Sequence, residues 1–386
     1  MDIIMGVILG IIALTILVVI HELGHALVAK SHGVIVEEFG IGFPPRAWGK
    51  KVPRSILGKN VLFSINWLPL GGFVKLQGEH DSATKQGDYG AATFWHKTQI
   101  LLAGVAMNWL TAALLLSVLA AVGMPNILKD QFYVPTDAQI INQPVELTAV
   151  TKDMPADKAG LRQGDKILRF AGSSLDSPTE LADLAKQQRG KTIEVIYSRQ
   201  NVENSVKVTL RANNDDNKGY MGASPSQMAV IKSSWSAPIV GVGLTAQMSW
   251  VTIQGFGDVL ANAAHGLVLK LSPQKADQQT ANNKLAAVGD SVAGPIGIFG
   301  IIFPAAEKAG PTHVIMLAAI ISLTLAAMNI LPIPALDGGR WFVTALFRVL
   351  KKPLSKDLEE KIHGTGFMVL MGLVLLVTIA DIGKFR

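Results

Sequence analysis

Four runs of apolar residues, each long enough to cross a lipid bilayer, constrain this chain more than any other feature. They occupy residues 3–20, 100–123, 314–336 and 364–380, the last reaching full length only with its Gly and Thr flanks. A bilayer's hydrocarbon core is about 30 Å thick and takes roughly 20 apolar helical residues to cross. Backbone in that medium must satisfy its own hydrogen bonds, so the runs predict about four transmembrane helices in a polytopic α-helical membrane protein. Composition agrees, since 49% of the 386 residues are apolar and only 17% charged, outside the usual balance of a soluble domain. The first run reads as a retained helix rather than a cleaved signal: nothing basic precedes it, and no small-residue cleavage site follows before His21.

Charge sets the expected orientation. Basic residues from Lys30 to Lys97 lie between the first two runs, and those from Arg340 to Lys361 between the last two. The positive-inside rule puts both connections in the cytoplasm, leaving the two termini and the long 124–312 segment on the far side. The net charge of +6 then reflects topology. With no continuous basic surface, nucleic acid is not an expected partner, whereas membrane lipid is. Absence of cysteine excludes disulfides and thiolate metal sites, so any metal must be held by histidine and carboxylate.

At the end of the first run stands "VIHELGHALVAK", residues 19–30. Residues four apart on a helix are separated by about 400° of rotation, so His21 and His25 share a face and can reach one ion. Glu22 beside them is placed to take a proton from a water that the ion has acidified and to pass it to a leaving amine. Gly24 is expected to leave room beside the ion. The bland alternative is a polar helix end at headgroup level. Ionisable groups so deep in an apolar helix are costly unless functional, which favours the metal.

A catalytic zinc keeps three protein ligands and one open position. "NILPIPALDGGR", residues 329–340, offers the third: Asp337 at the end of the third span, after the helix-breaking Pro332 and Pro334 and before Gly338 and Gly339. Irregular backbone at membrane depth implies a buried site. The other histidines, His32, His80, His96, His265, His313 and His363, fall in connecting segments and are weaker candidates.

His21-Glu22-Leu23-Gly24-His25, the segment Pro69 to Lys75 (PLGGFVK), Gly104-Val105-Ala106-Met107-Asn108 and the Asn329 to Gly338 motif together resemble the bacterial site-2 protease family of intramembrane zinc metalloproteases, in particular its RseP/RasP-like group. The resemblance runs nearly end to end. It implies cleavage of single-pass membrane proteins, typically anti-sigma factors already clipped on their outer side, and also signal-peptide remnants, in a bacterial inner membrane. It implies zinc held by His21, His25 and Asp337, with Glu22 as the catalytic acid/base. Asn329 and Pro332 match positions that help hold the substrate, and Asn108 matches a motif close to the catalytic centre.

Residues 34–97 contain two β-rich runs, with alternation in Val61-x-Phe63-x-Ile65-x-Trp67 and turn signals at Gly42 to Pro45 and Lys59-Asn60. A membrane protease must unwind its helical substrate, and an exposed strand edge can hold the extended chain by strand addition. Ile65, Gly71 and Gly72 are the residues here expected to lie against substrate. "MPADKAGLRQGDKIL", residues 154–168, reads as short helix, Gly160 stop, Gly164-Asp165 turn and strand, the middle of one PDZ domain bounded at 140–214. Relatives with two PDZ domains in tandem are known in the family; only one fits here. Residues 215–311 read as an amphipathic, interfacial segment, with the apolar 292–306 stretch re-entrant rather than a fifth span.

The expected order is thus a first span with its catalytic motif (1–33), the β-rich segment (34–97), a second span (98–124), the PDZ domain, the interfacial segment, a third span (312–340), a cytoplasmic loop (341–363) and a fourth span (364–383). Two other readings stay open: a non-proteolytic receptor built on the PDZ domain, which would be expected to lack Glu22 or a ligand, and a metal transporter, which would need polar residues along several spans. Oligomeric state has no legible signal.

Overall fold

The computed structural model describes residues 2–128, 130–200, 202–216, 218–291 and 294–384. They form two compact units, one of 1–119 with 238–386 and one of 120–237. Among the described residues, four helices are long and apolar enough to cross a membrane: Ile4–Ser31, Phe94–Val122, Pro311–Asn329 and Lys356–Ile379.

Helix α1 (Asp2–Ser31) continues its apolar run without interruption through His21 and His25, and ends where Gly33 takes φ +78°. Its 30 residues span about 45 Å at 1.5 Å per residue, more than a bilayer core requires. Strands β1 (Val36–Ser55) and β2 (Gly58–Leu76) are joined by the tight turn at Ile56-Leu57, and pair antiparallel. Each also bends midway, β1 at Gly42, so the sheet folds back on itself. Phe39 is registered with both Phe63 and Val74, and Ile65 with both Ile41 and Trp48. The core beneath joins Val36, Phe39, Leu57 and Val61 to Ala26 and Ala29 of α1 and Ile100 of α2 (Phe94–Val122).

The second unit follows. Strands β3 (Met124–Pro125), β4 (Gln139–Asn142) and β11 (Ala229–Lys232) make a small sheet in the order β3-β11-β4. The larger sheet has the order β10-β5-β6-β8-β9, from β5 (Val145–Val150), β6 (Lys166–Phe170), β8 (Thr192–Arg199), β9 (Val202–Thr209) and β10 (Ala223–Ser226), with β7 (Ser173–Ser174) on β6. Helices α3 (Pro155–Lys158) and α4 (Pro178–Gln187) accompany it. Ser177 caps α4 by accepting from Glu180 N, the arrangement that satisfies an otherwise orphaned amide. Alternate strand residues Leu147, Ile167, Val195 and Val208 close on Leu161 and Leu181 in the core. Asp165, buried, takes both Arg199 Nε and Nη2 at 2.7 Å. Because β10 pairs with β5, this sheet extends past the expected limit at 214.

The first unit resumes with α5 (Ala237–Lys270), whose early turns lie against α2: a Cβ on Gly241 would meet Ala113 O at 2.5 Å. Helix α6 (Lys275–Ser291) returns along it, Lys284 reaching Asn262 at 3.0 Å. Of the apolar 292–306 stretch, 292 and 293 lie outside the described residues. The rest is α7 (Pro295–Gly297), a π-helical turn (Ile298–Ile302) and the start of α8 (Phe303–Ala309), which packs on α1 where Gly6 meets Pro304 and Gly10 meets Phe303. The expected 312–340 span divides in two. Helix α9 (Pro311–Asn329) stops at the prolines, and Asp337 opens a separate amphipathic helix, α10 (Asp337–Val349). The last helix, α11 (Lys356–Lys384), begins eight residues before the expected 364, since charged residues at its start extend the helix without breaking it.

Candidate active site

His21 and His25, a turn apart on α1, bring their Nε2 atoms to 3.1 Å from each other. Asp337 Oδ2 stands 3.1 Å from the first and 3.2 Å from the second. Both histidines are 6% exposed, and the Asp337 oxygen is buried without accepting a hydrogen bond. Three electron-rich atoms converge this closely at low cost only around a cation. Two imidazole nitrogens and one carboxylate oxygen, with no sulfur, suit a catalytic zinc, so the donor set fits the metal. Gly338 and Gly339 let the first turn of α10 press against the carbonyls of Ile330 and Ile333, where a Cβ would collide, and this sets Asp337 in place.

The rings are oriented from α2. His25 Nδ1 donates to the Ile100 carbonyl at 2.7 Å, leaving its Nε2 lone pair for the centre. Four residues on, a Cβ on Gly104 would run into both imidazoles. Another four on, the Asn108 amide lies 3.3 Å from His21 Nδ1. Ile100, Gly104 and Asn108 therefore form one helix face against the two rings. The expectation for Gly24 changes accordingly: its missing side chain admits Ala103 O, 2.6 Å from where a Cβ would sit, so it serves the α1–α2 approach while Gly104 makes room at the rings.

Glu22 reaches toward the sheet. Its Oε2 accepts from Val74 N at 3.1 Å, and a Cβ on Gly72 would lie 4.0 Å from its Cγ and 2.9 Å from Gly40 O. Gly71 takes φ +85°, a region costly for other residues, and turns the chain into this stretch. Gly71 and Gly72 are thus at the site. Ile65 is not a free edge: it has a partner strand on either side, and the outer stretches of the folded sheet are 46–55 and 68–76, of which the second carries Val74 beside Glu22.

Asn108, matched by resemblance to a motif close to the catalytic centre and a candidate substrate-binding residue, is fully buried, with its backbone carbonyl accepting from Ser322 Oγ at 2.8 Å and its amide beside the His21 ring. Asn329 is the last residue of α9, half-buried, and Pro332 is exposed. They flank the irregular stretch leading to Asp337.

The motifs did not disclose a polar cluster behind Asp337. Arg340, one turn along α10, hydrogen-bonds the Glu79 carbonyl, lies 5.0 Å over the Tyr89 ring and is 3.7 Å from Glu359. Glu359, 2% exposed, accepts from Asp81 N at 2.8 Å. His363 Nδ1 accepts from the amide of Ala335 at 3.2 Å, a non-glycine residue at φ +80°. A cavity of about 260 Å³ between Asp337, Arg340, Glu359, Glu360, His80 and His363 opens beside the centre. Ionisable residues at the start of an apolar helix were the available signal.

Residues 9–373 match the model of peptidase family M50. The chain is 28% identical to a candidate zinc metalloprotease of Clostridium perfringens, over 98% of each chain. It is 25% identical to the regulator of sigma-W protease RasP of Bacillus subtilis, over 95% of this chain and 96% of that one. Among solved structures, a PDZ domain of an SdrC-like protein from Listeria monocytogenes aligns with 21% of this chain and 86% of its own, at 23% identity and a TM-score of 0.20.

Proposed function

For a chain that belongs to peptidase family M50, and is thereby a metalloprotease, we propose an intramembrane zinc endopeptidase that cuts single-pass membrane proteins. The observation that carries this is the placement of His21, His25 and Asp337 around one point, the two histidines on a helix apolar enough to span a membrane and Asp337 at the start of α10, with Glu22 beside a strand edge. His21, His25 and Asp337 would hold the zinc, which supplies the Lewis acidity that makes water nucleophilic near neutral pH. Val74 N–H fixes one oxygen of Glu22, leaving Oε1 to take the proton and return it to the leaving amine. The outer stretch from Leu68 to Leu76 offers main-chain groups to a substrate that must be extended to be cut, and Asn329 and Pro332 border the approach. We assign the site to the cytoplasmic side, the 140–226 region to an extracytoplasmic PDZ domain that restricts bulky outer domains, and the location to a bacterial inner membrane. The Bacillus relative's name supports substrates of the anti-sigma-factor kind.

The test is metal content and cleavage of a model single-pass substrate. Glu22→Gln should retain zinc and lose cleavage, whereas His25→Ala and Asp337→Asn should lose both. Full zinc occupancy in both ligand variants would refute the centre.

A further inference from the structure

Asn108 holds an unresolved hydrogen-bond account that points to a specific task. Its side chain is completely buried, its amide nitrogen faces His21 Nδ1 at 3.3 Å, and its amide oxygen has no partner. With nitrogen toward nitrogen, His21 must accept at Nδ1, which puts the ring proton on Nε2, the atom that faces His25 and Asp337. That tautomer cannot ligate through Nε2. Amide oxygen and nitrogen are near-equivalent in shape, and a half-turn of the side chain exchanges them. After the exchange Oδ1 accepts from His21 Nδ1–H, the imidazole has its lone pair on Nε2, and the unpartnered oxygen is satisfied. His25 already shows the same pattern with a backbone carbonyl in that role.

We propose that Asn108 is a positioning residue for the metal centre: its amide oxygen fixes the tautomer and rotation of His21, as the Ile100 carbonyl does for His25. This rests on the zinc reading of the centre. The bond from Ser322 to the Asn108 carbonyl anchors the residue to a third helix, so ring orientation depends on α1, α2 and α9 together.

The experiment measures zinc affinity of the purified full chain by competition with a chromogenic chelator, and the visible spectrum of the cobalt-loaded protein. Asn108→Leu removes the acceptor while keeping the branching at Cγ and should weaken zinc binding by about 10–100-fold, the effect expected of an outer partner to a ligating imidazole, with an altered cobalt spectrum; Asn108→Ala, which adds no bulk, should weaken it likewise. Asn108→Asp keeps an acceptor and should bind zinc at least as tightly as wild type. Equal affinity in wild type and N108L would overturn the proposal; so would equal weakening in N108L and N108D, which would mark a packing role. Asn108→Ala, which only removes atoms, is read in the same way if N108L does not fold. Failure of the wild-type chain to bind zinc would instead refute the centre itself.

Discussion

Helices α1 and α11 are both apolar enough to span a membrane, but they are held in opposite ways. Helix α1 is gripped along its length: Gly6 and Gly10 admit Pro304 and Phe303, and Gly24 admits Ala103, the close approach that small residues allow in a medium where apolar burial alone drives little association. Helix α11 is fastened near its start, where Glu359, His363 and Gly366 meet Asp81, Ala335 and Pro334, and near its end, where Asp381 accepts from Gly297 N at 2.9 Å. From 367 to 379 no described side chain is buried. Packing by shape is used where ligand atoms must stay within tenths of an ångström, and polar fastening where a helix need only be attached.

The largest expected effect is at the gripped helix. Gly104→Ala places a methyl against both imidazoles and should abolish stable zinc retention while costing about 1–3 kcal/mol from overpacking; retention of zinc at wild-type affinity would show that the α1–α2 contact is loose after all. Next comes the fastening near the start of α11. Glu359→Ala strips Arg340 and Asp81 N of a buried acceptor and should lower stability by about 3 kcal/mol, the low end for a broken buried pair because Arg340 is partly exposed. Its zinc affinity should fall less than that of G104A. Asp381→Leu leaves the buried Gly297 amide short of this acceptor, a cost of about 1–3 kcal/mol, and Asp381→Asn should cost less because its amide oxygen still accepts. Smallest is Leu373→Val on the unpacked stretch, expected within about 0.5 kcal/mol of wild type. Thermal unfolding of detergent-solubilised protein ranks Glu359→Ala, Asp381→Leu, Asp381→Asn and Leu373→Val, while zinc affinity sets Gly104→Ala apart. A cysteine-free chain also permits clean spin-label pairs: Ile8 to Leu110 should give a narrow distance distribution and Leu373 to Leu110 a broader one.

Much of this was readable before any coordinates. The histidine pair and Glu22 announce themselves because metal chemistry demands fixed residue types at helical spacing, and Asp337 because it stands between helix-breaking prolines and a glycine pair at the end of an apolar run. The existence of the apolar helices was legible from their runs, though not the charged start of α11, and the α3 to β6 stretch from its glycines. What escaped was everything set by register or by contact across the chain. Alternation around Ile65 gives a strand but cannot show that the sheet folds back and covers both its sides. The bond from Val74 N to Glu22 involves a backbone group that carries no identity in the sequence. Gly24 and Gly104 are the same residue on neighbouring helices, and only the packing tells which makes room for a helix and which for a ligand. Strand β10 escaped because four residues containing a proline do not read as part of a sheet.

The unequal exposure of the three converging groups bears on the supply of metal. Side-chain exposure is 8% for each histidine and 21% for Asp337, and the cavity behind Asp337 is walled by charged residues, while α2 closes the histidine side. Of the three groups that would hold the ion, the carboxylate is the most accessible. If the centre holds zinc, a bulky chelator should extract the ion more slowly than a small one of equal strength, because the only partly exposed donor is Asp337.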